Sequence, residues 1–161
     1  MRRARDGSTE GKNWGMKMNV NEFFVEFLKR TERSDDTKMA GTLCFGMDAE
    51  AADRAAQKIL SGEKRAMIYP ERGYRAALHA HPAIGDLNVV VDWNGNPVCV
   101  IETTQVRACA AGEITEEQIA MTAENTSAAA WLEDVIRREI EELGGSMDSH
   151  TPLIIEEFRC A

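Results

Sequence analysis

The stretch Leu87-Asn88-Val89-Val90-Val91-Asp92-Trp93-Asn94-Gly95-Asn96-Pro97-Val98-Cys99-Val100-Ile101-Glu102-Thr103-Thr104 decides the fold. Two runs rich in β-branched residues flank Trp93-Asn94-Gly95-Asn96. Asn-Gly between apolar strands is a strong local signal for a hairpin, because tight hairpin turns need residues that accept positive φ. Trp93, beside the turn, is expected to be exposed.

Working outward, the run Phe45 to Val106 reads as one unit. Thr42 to Phe45 is strand-like and ends at Gly46, and Asp48 is a plausible N-cap for a helix running to Leu60. Ala52, Ala55, Ala56, Ile59 and Leu60 form its inward face, and Gly62 supplies the C-terminal glycine. A strand is predicted over Lys64 to Tyr69, with Arg65 and Met67 on one face and Lys64, Ala66 and Ile68 on the other unless the strand begins later. Pro70 to Gly85 reads as a long loop punctuated by Gly73, Pro82 and Gly85. N-terminal to this unit, Asn19-Val20-Asn21-Glu22 resembles a capping box, followed by Phe23, Phe24, Phe27 and Leu28 on one helical face. On the C-terminal side, Thr115-Glu116-Glu117-Gln118 opens a short helix that breaks at Glu124-Asn125-Thr126. A second helix carries Ala128, Trp131, Leu132, Val135, Ile136, Ile140 and Leu143 as its apolar stripe and stops at Gly144-Gly145. Trp131 therefore reads as core. Leu153 to Cys160 is a closing strand. Short strands with interspersed helices and no regular βαβ alternation point to an α+β fold, a small mixed β-barrel with flanking helices.

The chain has 161 residues, 43% hydrophobic and 29% charged, which suits one globular domain. No apolar run approaches the roughly 20 residues of a membrane span, and no secretory core follows the basic start Met1-Arg2-Arg3-Ala4-Arg5. Residues 1–18 read as a flexible tail and 19–161 as the domain. Cys44, Cys99, Cys109 and Cys160 are widely spaced and read as buried free thiols in a reducing cytoplasm. A net charge of −8 argues against an indiscriminate polyanion binder. The charge is nonetheless uneven, since Lys64, Arg65, Arg72 and Arg75 gather against the single acid Glu71.

The ordered set Phe45-Gly46, Ala51-Ala52-Asp53, Ser61-Gly62-Glu63-Lys64, Gly85-Asp86, Gly95-Asn96-Pro97-Val98-Cys99-Val100-Ile101-Glu102-Thr103-Thr104, Trp131 and Pro152 to Phe158 resembles the ASCH domain family. The resemblance runs from about Phe23 to the C-terminus. It implies a PUA-like β-barrel and a role in binding RNA or nucleotides; some relatives are amidohydrolases acting on N4-acetylcytidine and some are reported as ribonucleases. In the hydrolytic relatives a lysine is followed three residues later by a threonine, and a glutamate from the later helical region completes the set. Lys64 matches the lysine, Met67 stands where the threonine would be, and Glu124 matches the glutamate. A thioether cannot act as a hydroxyl nucleophile. The family's acidic Glu-Gly-Glu-Gly-Asp stretch is replaced by Ala123-Glu124-Asn125-Thr126, and its histidine four residues after the tryptophan by Val135.

Read from the residues alone, Lys64 in a Gly-x-Lys turn offers an ammonium that can hold a phosphate or lower the pKa of a nearby hydroxyl, against the plain alternative of a solvated turn lysine. Arg65, Arg72, Tyr74 and Arg75 offer forked donors and a stacking face for a ligand, or simply a solvated basic loop. Asp86 is a candidate partner for the lysine, or a turn residue before a strand. Thr103 or Thr104 is a minor candidate for a substitute hydroxyl. His79 and His81 lack further ligands at zinc spacing, so no metal is expected, and no cofactor. The candidate catalytic pair is Lys64 and Glu124. The leading expectation is a cytoplasmic module for RNA or a nucleotide- or nucleoside-like small molecule, with a recess around Lys64. The alternatives are an amidohydrolase for N4-acetylcytidine-like compounds and a protein-interaction domain using the acidic helix Ser127–Leu143. The oligomeric state stays open.

Overall fold

The computed structural model describes residues 2–3, 18–76 and 81–161, side chains excepted at 2–3 and 74–76. Most of the expected tail, and His79, lie outside the described residues. The chain divides into two compact units. The first comprises Met1–Gly62, Asp86–Glu102 and Cys160–Ala161, and the second Glu63–Gly85 and Thr103–Arg159.

In the first unit, β1 (Arg2–Arg3) pairs antiparallel with β2 (Gly41–Cys44), and β2 pairs parallel with β4 (Leu87–Val91). Helix α1 (Val20–Arg30) starts with the expected capping box, in which Asn19 Oδ1 accepts from the Glu22 amide at 2.8 Å. Helix α2 (Ala49–Ser61) is capped by Asp48, whose carboxylate accepts from the Ala51 amide at 2.7 Å, and ends on Gly62 with φ of 81°. The hairpin pairs β4 with β5 (Pro97–Ala110) from Leu87↔Glu102 to Val91↔Pro97, with a bulge at Val90/Val91. Asp92 builds its turn, accepting from the amides of Asn94 and Asn96 at 2.9 Å each and from Asn96 Nδ2 at 3.0 Å. Gly95 sits at φ of 85°, the conformation the Asn-Gly signal required. Phe24, Phe27, Leu28, Ala52, Leu87, Val89, Val91 and Val100 make this unit's core. Trp93 packs half-buried against that core, contrary to the expected exposure, because its ring has apolar surface to cover beside the turn. Leu60 is 48% exposed, one step of helical rotation away from the Ala52–Ala56–Ile59 stripe.

In the second unit, β3 (Ala66–Pro70) pairs antiparallel with β6 (Pro152–Cys160), from Ala66↔Glu157 to Pro70↔Leu153. The strand thus begins two residues later than the earliest expected start, and all five of its residues are buried. The stretch 70–85 is not one long loop: residues Glu71–Ala76 form α3. Pro70, expected to begin that loop, instead ends β3 and stands just before the first helical residue, where a proline is compatible with helix entry. The rest of β5 runs beside β6. After it come a 3₁₀ turn (Ala111–Glu113), α4 (Glu116–Met121), α5 (Ala128–Trp131), a π-turn (Leu132–Ile136) and α6 (Arg137–Glu142). The break between helices falls at the expected Glu124–Thr126. The π-turn shifts the apolar stripe, leaving Val135 36% and Leu143 37% exposed while Ile136 and Ile140 stay buried. Ile68, Ile119, Trp131, Ile136, Leu153 and Ile155 anchor this unit's core. The α+β class read from the sequence is the class found.

The cysteines depart from uniform burial. Cys44 and Cys99 are buried, Cys109 is half-buried and Cys160 is exposed, since the last two lie toward strand ends. Among the described residues, no helix is long and apolar enough to cross a membrane.

Candidate functional site

Lys64 leaves α2's terminal glycine and precedes β3, so its backbone stands outside the β3–β6 ladder. Two hydrogen bonds place this segment. The Arg65 amide donates to the Met121 carbonyl at 2.9 Å, and the Arg65 carbonyl accepts from the Phe158 amide at 2.9 Å. The Lys64 side chain is only 7% exposed, and its ammonium donates to the Thr122 carbonyl at 2.9 Å. Glu124 Oε1 lies 3.9 Å from the same nitrogen, with its side chain 51% exposed. The structure thus brings together the two residues singled out as the candidate catalytic pair. The ammonium is inside, and the carboxylate is the accessible partner.

The turn presenting Glu124 is strained. Ala123 and Asn125 flank it with φ of 58° and 52°. Asparagine visits the left-handed region readily, whereas alanine pays about 1–2 kcal/mol there. The Lys64 bond to Thr122 lies immediately before this strained pair and helps to hold it. On its other side the turn leads into α5, where Ser127 Oγ accepts from the Ala130 amide at 3.1 Å and the Glu116 carboxylate accepts from the Ala128 amide at 3.0 and 3.1 Å. Glu116, Ala120, Asn125, Thr126 and Ser127 line a cavity of about 480 Å³ beside this turn. Its lining offers an amide, hydroxyls and a carboxylate, groups that can hydrogen-bond a base edge or a sugar.

The other expected residues are distributed differently. Arg65 is exposed. Asp86 is half-buried in the first unit, before β4, while the partners described above for the Lys64 ammonium are Thr122 and Glu124. Arg72 is exposed on α3 and lines a second cavity, of about 590 Å³. Tyr74 and Arg75 belong to α3, but their side chains lie outside the described residues.

Met67, at the position where the resemblance places a threonine, is 6% exposed and pairs in register with Glu156. Cross-strand partners share a face of a sheet. Sequence reasoning missed Glu156. It is 4% exposed, accepts from the Tyr69 hydroxyl at 2.9 Å and from Thr103 Oγ1 at 2.8 Å, and so forms a buried polar cluster. The signal was an acid, the first of the pair Glu156-Glu157, at an inward position of the apolar run Leu153 to Phe158. Thr103, weighed only as a substitute hydroxyl, spends its proton on this carboxylate.

Comparison with known proteins agrees with the fold. The sequence model of the ASCH domain matches residues 41–161. A crystal structure of an ASCH domain from Lactobacillus crispatus is similar at 34% identity and a TM-score of 0.66, over 74% of this chain and 77% of that one. Protein EF3133 from Enterococcus faecalis shares the fold at 22% identity and a TM-score of 0.77, over 89% of this chain and 88% of its own. No curated protein of assigned function matches the sequence.

Proposed function

The chain belongs to the ASCH domain family, and from that membership and the geometry at Lys64 we propose that it is a binding module for RNA or for a nucleotide- or nucleoside-like small molecule. The observation that carries this reading is the convergence of the Lys64 ammonium and the Glu124 carboxylate, 3.9 Å apart, at a strained turn next to a cavity of about 480 Å³. In this reading Glu124, Asn125 and Thr126 meet the ligand and hydrogen-bond its base edge or sugar hydroxyls. Lys64 keeps the turn in place from beneath. Arg65 supplies an exposed cation for a neighbouring phosphate.

The experiment is a titration of fluorescent single-stranded oligoribonucleotides, with unlabelled cytidine and cytidine monophosphate as competitors, at low and moderate salt. Wild type is expected to bind, and Glu124→Gln and Asn125→Ala to weaken binding by about fivefold or more, the loss of one useful hydrogen bond. Absence of wild-type binding to every one of these ligands would overturn the reading.

The same ammonium–carboxylate pair favours a second reading, hydrolysis of an N4-acetylcytidine-like amide. Against it stands Met67, which leaves the Lys64–Glu124 pair without the hydroxyl that the hydrolytic relatives place three residues after the lysine. Incubation with N4-acetylcytidine and chromatography for cytidine tests this directly. Product formation no faster than with a Glu124→Gln control rules it out.

A further inference from the structure

A second cleft in the same unit gathers three exposed side-chain donors, Arg72, Ser146 and His150. It has a volume of about 590 Å³, within the roughly 300–1,000 Å³ range of small-molecule sites. Arg72 and Glu71 at the start of α3 line one side, and Ser146, Asp148, His150 and Thr151 before β6 line the other. Two carboxylates, Glu71 and Asp148, share the lining, and each is engaged in part within the fold. Asp148 Oδ1 accepts from the His150 amide at 2.8 Å and from Thr151 Oγ1 at 3.4 Å, and Glu71 is also engaged. The donors are not: among the described residues the Arg72 guanidinium, the His150 imidazole and the Ser146 hydroxyl have no hydrogen-bond or ion-pair partner.

The position of Arg72 depends on a glycine. A Cβ added at Gly145 would lie 2.6 Å from an Arg72 guanidinium nitrogen and 3.2 Å from its Cζ. The absence of a side chain at 145 therefore lets the guanidinium lie across the chain just past α6. Gly145 is not among the residues with positive φ, so its conformation does not itself require glycine.

A forked cation, an imidazole and a hydroxyl around one opening have no protein acceptor among the described residues, so a ligand can take the place of water on all three, and a phosphate group supplies three strong acceptors. We propose that this cleft binds the phosphate group of a small ligand, with Arg72 as its forked contact and His150 and Ser146 completing the donor set. This site does not depend on the reading of Lys64 and Glu124, because none of its lining residues belongs to that turn.

Calorimetric titration of the full chain at low ionic strength tests the proposal, with inorganic phosphate, adenosine 5′-monophosphate and adenosine as probes. At least one of the two phosphates is expected to bind and adenosine to bind at least about tenfold more weakly than the better phosphate. Tighter binding of the monophosphate identifies an ester as the ligand, and equal binding the free ion. Arg72→Gln is expected to weaken the interaction at least about tenfold, roughly 1.4 kcal/mol. Gly145→Ala should weaken it in the same direction while keeping every donor, because its Cβ displaces the guanidinium and presses, less closely, on Ile140 Cγ2 at 3.2 Å. Arg54→Gln, on the exposed face of α2 and in neither site, should leave phosphate affinity unchanged, which separates the loss at Arg72 from a general loss of positive charge. Thermal denaturation of each variant checks folding. Failure of both phosphates to bind, or binding that Arg72→Gln and Gly145→Ala leave intact, overturns the proposal.

Discussion

Lys64→Met separates support of the turn from contact with ligand. Methionine keeps an unbranched apolar stem and removes the ammonium that donates to Thr122 at 2.9 Å. A hydrogen bond from a charged group contributes about 1.5–3 kcal/mol, and the bond here is almost dry, because the side chain is 7% exposed. The Glu124 contribution is much smaller, since that carboxylate is 51% exposed and stands 3.9 Å away; such a pair contributes at most about 1 kcal/mol. Loss of support also exposes the left-handed Ala123 to its own strain. The expected destabilisation for Lys64→Met is therefore about 2–3 kcal/mol, and for Glu124→Gln under about 1 kcal/mol. In a chain of this size the first corresponds to a fall in Tm of roughly 4–12 °C. Urea denaturation followed by circular dichroism measures both, with the slope expected to stay constant. Equal effects of the two substitutions, or a Lys64→Met protein as stable as wild type, would refute the view that the ammonium holds the turn.

Four further outcomes are expected. Asp48→Ala should cost about 1 kcal/mol, the usual loss for an N-cap, measured by urea denaturation; no change would mean that α2 does not need its cap. Native-state titration with a thiol-reactive disulfide should label exposed Cys160 rapidly and buried Cys99 slowly. Burial first, and neighbouring Cys160 second, push the Cys99 thiol from 9.0 up to about 12. A proton held more tightly in the folded state contributes stability that is present below pH 9 and lost as pH rises toward 12, so alkaline Tm should fall more steeply in wild type than in Cys99→Ala. Glu156→Leu should destabilise more than Glu156→Gln in denaturant titrations, because leucine strands both the Tyr69 and Thr103 hydroxyls whereas glutamine keeps one acceptor.

Local chemistry made much of the fold legible. Asn19, Asp48 and Thr115 each announce a helix start through a side-chain acceptor, and each accepts an amide in the structure. Asn94-Gly95 announces the hairpin for a similarly local reason. What was not legible depends on partners distant in the chain. Glu71–Ala76 looks like a loop because Gly73 falls inside it and Pro70 stands before it, and its helix is short enough for packing to outweigh propensity. Val135 lies on the expected stripe until the π-turn rotates it outward, and no residue in Leu132–Ile136 advertises an extra backbone step. Glu156 could be noticed as an acid in an apolar strand, but the hydroxyls that satisfy it come from Tyr69 and Thr103.

Lys64 and Glu124 illustrate the same division within the site. Family pattern names both, and periodicity can place a lysine after α2, but only tertiary structure assigns them unequal parts. A lysine that is to grip a mobile ligand needs its nitrogen in or near solvent, since each partner exchanged for ligand must first be given up. Here the nitrogen already has a backbone carbonyl at 2.9 Å and little exposure. The carboxylate has the opposite situation, with half of its side chain exposed and the ammonium at 3.9 Å. Ligand contact is therefore more readily made by Glu124 and its neighbours than by Lys64, and the strain at Ala123 and Asn125 fixes where that carboxylate points. Met67 fits the same division of roles. Buried next to Glu156, it adds apolar packing, not a reactive group, at the position where hydrolysis by the family's route would begin. A substitution that restores that hydroxyl, Met67→Thr, consequently tests the division: if the lysine and glutamate are still arranged for hydrolysis, N4-acetylcytidine turnover should rise above the wild-type level, and if they now serve only to hold the turn, turnover should stay at background while the lost thioether lowers stability by about 1–3 kcal/mol.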